Sequence, residues 1–126
     1  MNLQLVSTKV TQLNLTKIID YDDDKELSFK FANAYSKESP NTFQVIFEMS
    51  LSIEGNVKLD IKYVALFEGD DEFDEEFQQS AFPRVNAPAI AYPFLRAFIG
   101  TFLLNGGYEP IMLPSVNFSA LYKSEK

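Results

Sequence analysis

The sequence predicts an α+β fold, in which four β-strands form one sheet and one main helix, with a short C-terminal turn after it, completes the domain. Apolar and polar residues alternate in four segments between Leu3 and Phe67, as they do in half-buried strands. After Asn86 the apolar residues recur at helical spacing instead. The chain has 126 residues, of which 46% are hydrophobic, so we expect residues 1–126 to form a single domain with an ample core.

The first two predicted strands come before a polar, proline-containing loop. The first covers residues 3–15 and has a bulge or break near 7–11, because Val6 and Val10 leave the alternation of the leucines. The second alternates over residues 27–31 with the same parity. The connection between these two strands is strongly acidic.

The third and fourth strands, residues 42–54 and 57–67, are predicted to form a hairpin. Gly55 and Asn56 between them are typical of a tight turn. One face of each strand is apolar and the other is largely polar, but three apolar residues interrupt the polar face. These are Ile46, Val64 and Leu66. The outer face of the sheet is therefore expected to be partly covered.

A helix is predicted from a cap at Asn86 to a stop at residues 105–107, where Asn and Gly favour left-handed backbone conformations. Arg96 is the only charged residue between Ala87 and Tyr108. A helix that is apolar all round is buried on more than one side, and a single sheet covers only one. The second side is expected to contact another subunit. The candidates for this oligomer interface are Phe94, Leu95, Phe98, Ile99 and Phe102.

Composition argues against most enzyme classes. The chain has no Cys and no His, which excludes thiol nucleophiles and the commonest general base and metal ligand. No Gly-rich phosphate loop is present either. We therefore predict no catalytic residue, no cofactor and no enzymatic activity.

Two acidic runs, residues 20–26 and 68–76, carry 12 of the 18 Asp and Glu residues. Asp20, Asp22 and Asp24 have the spacing that opens a calcium loop, but the glycine and the final glutamate that such a loop needs are missing. The second run fails in the same way. Both runs are interpreted as solvated loops, and no metal site is predicted.

The net charge of −7 argues against nucleic acid as a partner, because phosphate binding needs Lys and Arg. The longest apolar stretch, Ile90–Leu104, is shorter than a bilayer span and contains Pro93 and Arg96, so no membrane insertion is expected. The N-terminus lacks the pattern of a signal peptide. A cytoplasmic location is expected.

The segment Tyr108–Phe118 has more apolar side chains than a loop of its length can bury internally, and Pro110 and Pro114 hold it extended. It is either a loop packed over the core or the wall of a groove that binds other polypeptides, for which Met is well suited. Under the second interpretation the binding candidates come from this loop and from the outer sheet face. They are Tyr108, Ile111, Met112, Leu113, Val116, Phe118, Ile46, Val64 and Leu66.

Two motifs make the chain resemble the SecB family of protein-export chaperones. The family pattern Pro-x-Ile-x-aromatic-Pro-aromatic-x-Arg is matched from Pro88 to Arg96. The later pattern Pro-Val-Asn-Phe-x-Ala-Leu is matched from Val116 to Leu121, with Pro114 one residue early. The resemblance spans most of the chain, while the identical residues concentrate after Ala81.

This resemblance implies a four-stranded antiparallel sheet with the helices packed on one face. It implies a homo-oligomer, a dimer of dimers, in which the first helices lie between the sheets. It also implies an ATP-independent holding chaperone that binds non-native polypeptides, here called clients, for protein export and translocation, with the SecA translocation motor as a partner.

Two departures from the family pattern favour an alternative. The family continues into a long second helix over the groove, whereas this sequence stops at Lys126, which implies a more open groove. The acidic positions that contact the motor fall on Gln12 and Thr16, and only Asp60 keeps its charge as a candidate motor contact. The alternative is a dedicated interaction chaperone of the same fold for a single partner, such as an antitoxin or a regulator.

Overall fold

The computed structural model describes residues 2–18 and 27–124, and the first acidic run with its calcium-loop spacing lies outside these residues. The elements, in chain order, are four strands, a short helix, a π-helix that continues directly into the main helix, and a short C-terminal helix. Their bounds are β1 Leu3–Lys17, β2 Leu27–Tyr35, β3 Thr42–Ile53, β4 Val57–Gly69, α1 Glu75–Gln79, the π-helix Phe82–Asn86, α2 Ala87–Asn105 and α3 Phe118–Ser124.

The four strands form one antiparallel sheet in the order β1-β4-β3-β2. The predicted α+β class, with one main helix and a short C-terminal helical turn, is confirmed. The register of β1 against β4 shifts between Leu5 and Ser7 and again between Val10 and Gln12. The break predicted near residues 7–11 is therefore two bulges, one at each end of that segment.

Alternation sets which face of the sheet is buried. Every odd-numbered residue of β3 is buried, and β4 follows the same parity from Leu59 onward. The two sets meet across the hairpin, where the rings of Phe43 and Phe67 stack with centroids 5.2 Å apart. Helix α2 packs on this inner face. At the hairpin turn Glu54 and Gly55 take positive φ angles of 53° and 77°. The predicted turn is confirmed, and Glu54 belongs to it together with Gly55.

The predicted cap at Asn86 is wrong. Its backbone is helical, with φ −71° and ψ −47°, and its side chain makes no capping hydrogen bond. The π-helix before it already turns the chain, so helical structure starts at Phe82. The predicted stop is confirmed, because Gly107 has φ 89° and the Gly106 amide donates to the Phe102 carbonyl over 2.8 Å.

The helix from Phe82 to Asn105 has 24 residues and is long and apolar enough to cross a membrane by length and composition alone. The helix is therefore longer than the apolar stretch Ile90–Leu104, and its length alone does not argue against a membrane span. Its side facing the sheet is buried inside the domain, which is what the core helix of a folded domain shows.

Tyr35, at the end of β2, places its hydroxyl where no hydrogen-bond partner reaches it among the described residues. Burial raises the pKa of Tyr35 to about 12, although the nearby Arg84 charge acts in the opposite direction. Above pH 10 the unfolded chain loses this proton while the folded chain keeps it, so the free energy of unfolding falls as pH rises from 10 to about 12.

Tyr35→Phe should remove this contribution. At neutral pH the variant should be at least as stable as the original protein, because no hydrogen bond is lost. Between pH 10 and about 12 its urea-unfolding free energy should fall less steeply. Lysines titrate in the same range, so the quantity to compare is the difference between the two proteins. Parallel pH curves would contradict the prediction.

Candidate functional site

The buried side of α2 belongs to the core of its own subunit. Ala87, Ala91, Leu95, Ile99 and Leu103 have no exposed surface and form one stripe against the sheet. Two of the five predicted interface residues, Leu95 and Ile99, lie in this stripe. A side chain sealed under its own sheet cannot reach a second subunit, so these two are removed from the interface set.

The opposite side of α2 carries apolar side chains that nothing covers. Phe94 is 48% exposed and Leu104 is 65% exposed. We call the stripe formed by Ile90, Phe94, Ala97, Thr101 and Leu104 the outer helix face. Phe98 and Phe102 lie at its margin, partly buried, with their rings 6.0 Å apart. Ile90 and Leu104 were missed in the sequence, although both follow the helical spacing of Phe94.

The loop between α2 and α3 splits its apolar residues between the core and the solvent. Met112 is 91% exposed. Tyr108, Ile111 and Val116 are partly buried against the core. Leu113 and Phe118 are buried in the core, although Leu113 also borders the cleft between this loop and α2.

Phe118 is held by three aromatic rings from two other elements, β2 and α2. Its ring centroid lies 5.2 Å from that of Phe31, 6.3 Å from that of Phe29 and 5.9 Å from that of Tyr92, each in an edge-to-face arrangement. This contact ties α3 to β2 and α2. The side chain therefore positions the loop rather than lining its surface.

A second anchor fixes the loop against α2. The Tyr92 hydroxyl donates a hydrogen bond to the Pro114 carbonyl over 2.7 Å. Burial raises the pKa of Tyr92, and the Arg96 charge opposes that rise. The Arg96 guanidinium lies over the Tyr92 ring, 5.9 Å from its centroid. The aromatic ring thus links the helix, the loop and the only charge of α2.

An open cleft of about 310 Å³ lies between α2 and the loop. It is lined by Pro93, Arg96, Ala97, Ile111, Met112 and Leu113. The lining side chains are apolar apart from the Arg96 guanidinium, so they can contact the apolar side chains of an extended segment. Pro93 and Ala97 were missed as lining residues, although their spacing of four places them on one helix side.

The outer sheet face holds the other three predicted client contacts. Ile46 pairs with Val64, and Leu66 pairs with Gln44. All three are half-buried and lie on the side of the sheet away from α2. They do not line the cleft beside the loop, because they lie on the opposite face of the sheet.

Asp60, the predicted motor contact, lies in a network of charged groups on the same outer face. It accepts a short hydrogen bond from the Ser50 hydroxyl and lies 3.8 Å from the Lys58 ammonium. The neighbouring Glu48 carboxylate lies 3.2 Å from Lys30 and 3.6 Å from Lys62, and the hydrogen bond from Lys30 is the main reason that the pKa of Glu48 is lowered. Three lysines thus accompany two carboxylates, and this area is not an acidic surface.

The described residues hold no group of side chains arranged as a metal centre. Residues 2–18 and 27–124 contain no cluster of three or more Asp or Glu residues arranged to hold a metal ion. No polar or charged residue in these ranges is buried.

Comparison with known proteins identifies the fold and motifs just described. The family model of preprotein translocase subunit SecB matches residues 9–126. The chain belongs to the SecB family. The resemblance predicted from the two motifs is confirmed.

Curated relatives in the SecB family are moderately similar. The protein-export protein SecB of Ehrlichia chaffeensis is 32% identical over 109 residues, which cover 75% of this chain and 62% of the relative. That of Nitrobacter hamburgensis is 29% identical over 121 residues, covering 79% of this chain and 76% of the relative. Against the SecB proteins of Anaplasma phagocytophilum and Ehrlichia canis the match spans 42% and 56% of their lengths. The chain thus spans less than two thirds of several SecB relatives.

A solved structure shares the fold. The SecB-like chaperone of Mycobacterium tuberculosis, in complex with a ChAD peptide from the HigA1 antitoxin, aligns with a TM-score of 0.67 at 18% identity and covers 90% of both chains. The same architecture is therefore present in a SecB-like protein with a peptide bound.

Proposed function

We propose that this chain is an ATP-independent holding chaperone that binds non-native polypeptides in the cleft between α2 and the loop. The observation that supports this proposal most directly is that Met112 is almost fully exposed beside the partly buried Ile111 and the exposed Ala97. Apolar side chains held in the open by a rigid aromatic anchor are ready to be covered, and burial contributes about 25 cal/mol per Å² of apolar surface. The family supports the same activity, without catalysis.

We further propose that the protein is a homo-oligomer, a dimer of dimers, which packs through the outer helix face. A contiguous apolar stripe on a helix is covered in a stable soluble assembly. Phe94, Phe98 and Phe102 remain the interface candidates of the original set, joined by Ile90 and Leu104. The outer sheet patch of Ile46, Val64 and Leu66 is a separate, smaller surface for long clients.

Protein export is the proposed pathway, with a cytoplasmic location, because curated relatives are protein-export proteins. The SecA motor is the partner that the family suggests. Asp60 is the proposed contact, yet its pairing with Lys58 leaves little net negative charge to attract a basic partner. We propose neither nucleic acid nor membrane insertion.

A dedicated chaperone for one partner is the second candidate. The neutralised outer face favours it, since that face lacks the acidic character expected for motor docking. The M. tuberculosis SecB-like chaperone holds a peptide from a single antitoxin, which supports the same alternative.

The proposed function is tested by suppression of aggregation. An equimolar amount of this protein should keep a refolding client in solution, and Met112→Asp should weaken that effect by placing a charge in the apolar cleft. Leu121→Asp is the matched control, because Leu121 is also exposed but lies on α3 outside the cleft. No suppression at any ratio contradicts the proposal. Capture of many clients from lysate supports a general chaperone, whereas capture of one supports the dedicated alternative.

A further inference from the structure

Methionine is the only sulfur-containing residue type in this chain. The sequence has no Cys and three Met residues. Met49 is 3% exposed in the core, whereas Met112 is 91% exposed. Met1 lies outside the described residues. A dissolved oxidant therefore meets one open and one shielded thioether within the described domain.

We propose that Met112 is a reversible oxidation site, and that its conversion to the sulfoxide by a peroxide weakens client binding in the cleft. The proposal rests on the proposed function for its consequence, while the selectivity for Met112 over Met49 rests on exposure alone. Under this proposal peroxide oxidises the thioether in the cleft, whereas the thioether of Met49 in the core is shielded from it.

The chemistry needs one molecule of hydrogen peroxide for each sulfur. The thioether lone pair attacks one peroxide oxygen, the O–O bond breaks and an S–O bond forms. The displaced hydroxide takes the proton of the transferred oxygen and leaves as water. Sulfur is thereby oxidised by two electrons and the peroxide is reduced, so atoms and electrons balance. The product is a polar, chiral side chain that sulfoxide reductases can restore.

Two structural facts connect this change to binding. Met112 lines the cleft together with Ile111 and Leu113, so a bound apolar segment covers its sulfur. A sulfoxide oxygen covered in this way loses its hydrogen bonds to water, and only Arg96 in the cleft lining carries a charged donor. We expect affinity to fall by about ten-fold, which corresponds to about 1.4 kcal/mol.

The fold should survive the same treatment. Met112 contributes almost nothing to the core because its side chain is exposed, whereas the anchors of the loop are Tyr92 and Phe118. Neither anchor contains sulfur. Loss of binding is thus expected without loss of the unfolding transition.

The test uses the full chain, hydrogen peroxide and fluorescently labelled, chemically unfolded α-lactalbumin as the probe client. Peptide mass spectrometry should show that the Met112 peptide gains one oxygen well before the Met49 peptide. Fluorescence anisotropy should show the ten-fold weaker affinity, and methionine sulfoxide reductase should restore it. The affinity of Met112→Leu for the probe should be the same before and after peroxide treatment, since Leu has no sulfur to oxidise.

The outcomes separate the two proposals. Equal oxidation rates for Met112 and Met49 overturn the assigned site. Unchanged affinity after complete oxidation of Met112, or equal peroxide sensitivity of Met112→Leu, overturns its effect on binding. If the untreated protein does not bind the probe, the proposed chaperone function is wrong, and so is the proposed effect of oxidation on binding. The relative oxidation rates of Met112 and Met49 still test whether Met112 is the oxidation site.

Discussion

Phe94→Asp combined with Leu104→Asp should convert the proposed homo-oligomer into monomers. Both side chains project from the outer helix face, at 48% and 65% exposure, so a carboxylate in either place costs the isolated subunit little. In a packed interface the same two carboxylates are desolvated without a partner, because α2 offers only Arg96 as a cation. Sedimentation equilibrium should show the mass falling to 14.3 kDa.

The control for this experiment is Leu121→Asp, which adds a charge at an exposed leucine of α3 away from the outer helix face. Its assembly should match that of the unaltered protein. Urea unfolding of both variants checks that the subunit remains folded. A double variant that keeps the original mass would show that the outer helix face is not the interface, and a monomeric parent protein would contradict the interface altogether.

Phe118→Ala is expected to lower the free energy of unfolding by about 3–5 kcal/mol, the usual cost of deleting a buried aromatic ring. The ring lies against Phe29, Phe31 and Tyr92, so its removal leaves a cavity between β2, α2 and α3. Amide exchange over residues 117–124 should rise at the same time, because α3 is only seven residues long and buries little else.

Leu121→Ala provides the comparison for Phe118→Ala, since Leu121 lies on the same helix but is 42% exposed, against 4% for Phe118. Its cost should stay below about 1 kcal/mol. A similar loss for the two variants would mean that the aromatic contacts of Phe118 are not what holds α3 in place.

The sheet was predictable because each strand has one buried face. A period of two leaves no freedom once Phe43 and Phe67 point inward, and the turn at Gly55 then fixes the register of the hairpin. The π-helix was not predictable in this way. Its five residues, Phe82–Asn86, contain a proline and no periodic apolar pattern, and only packing on the core makes them helical.

Only part of the site was open to sequence reasoning. Helical spacing identifies the apolar residues of α2 but does not say which of two apolar sides meets the sheet, so Leu95 and Phe94 were given the same role. In the loop Met112 is exposed and its neighbour Leu113 is buried, and no periodicity in the sequence distinguishes them. The pairing of Ser50 with Asp60, by contrast, follows from the hairpin register and was available in advance.

β1 can find its partner only after most of the chain exists. Leu3 pairs with Gly69, so the edge strand β1 pairs with β4, which is the last strand of the sheet to be synthesised. The β3–β4 hairpin closes over a three-residue connection, whereas this pairing must close a loop that includes the two intervening strands. During translation β1 therefore stays unpaired until β4 has left the ribosome, and folding should be slow for a domain of this size.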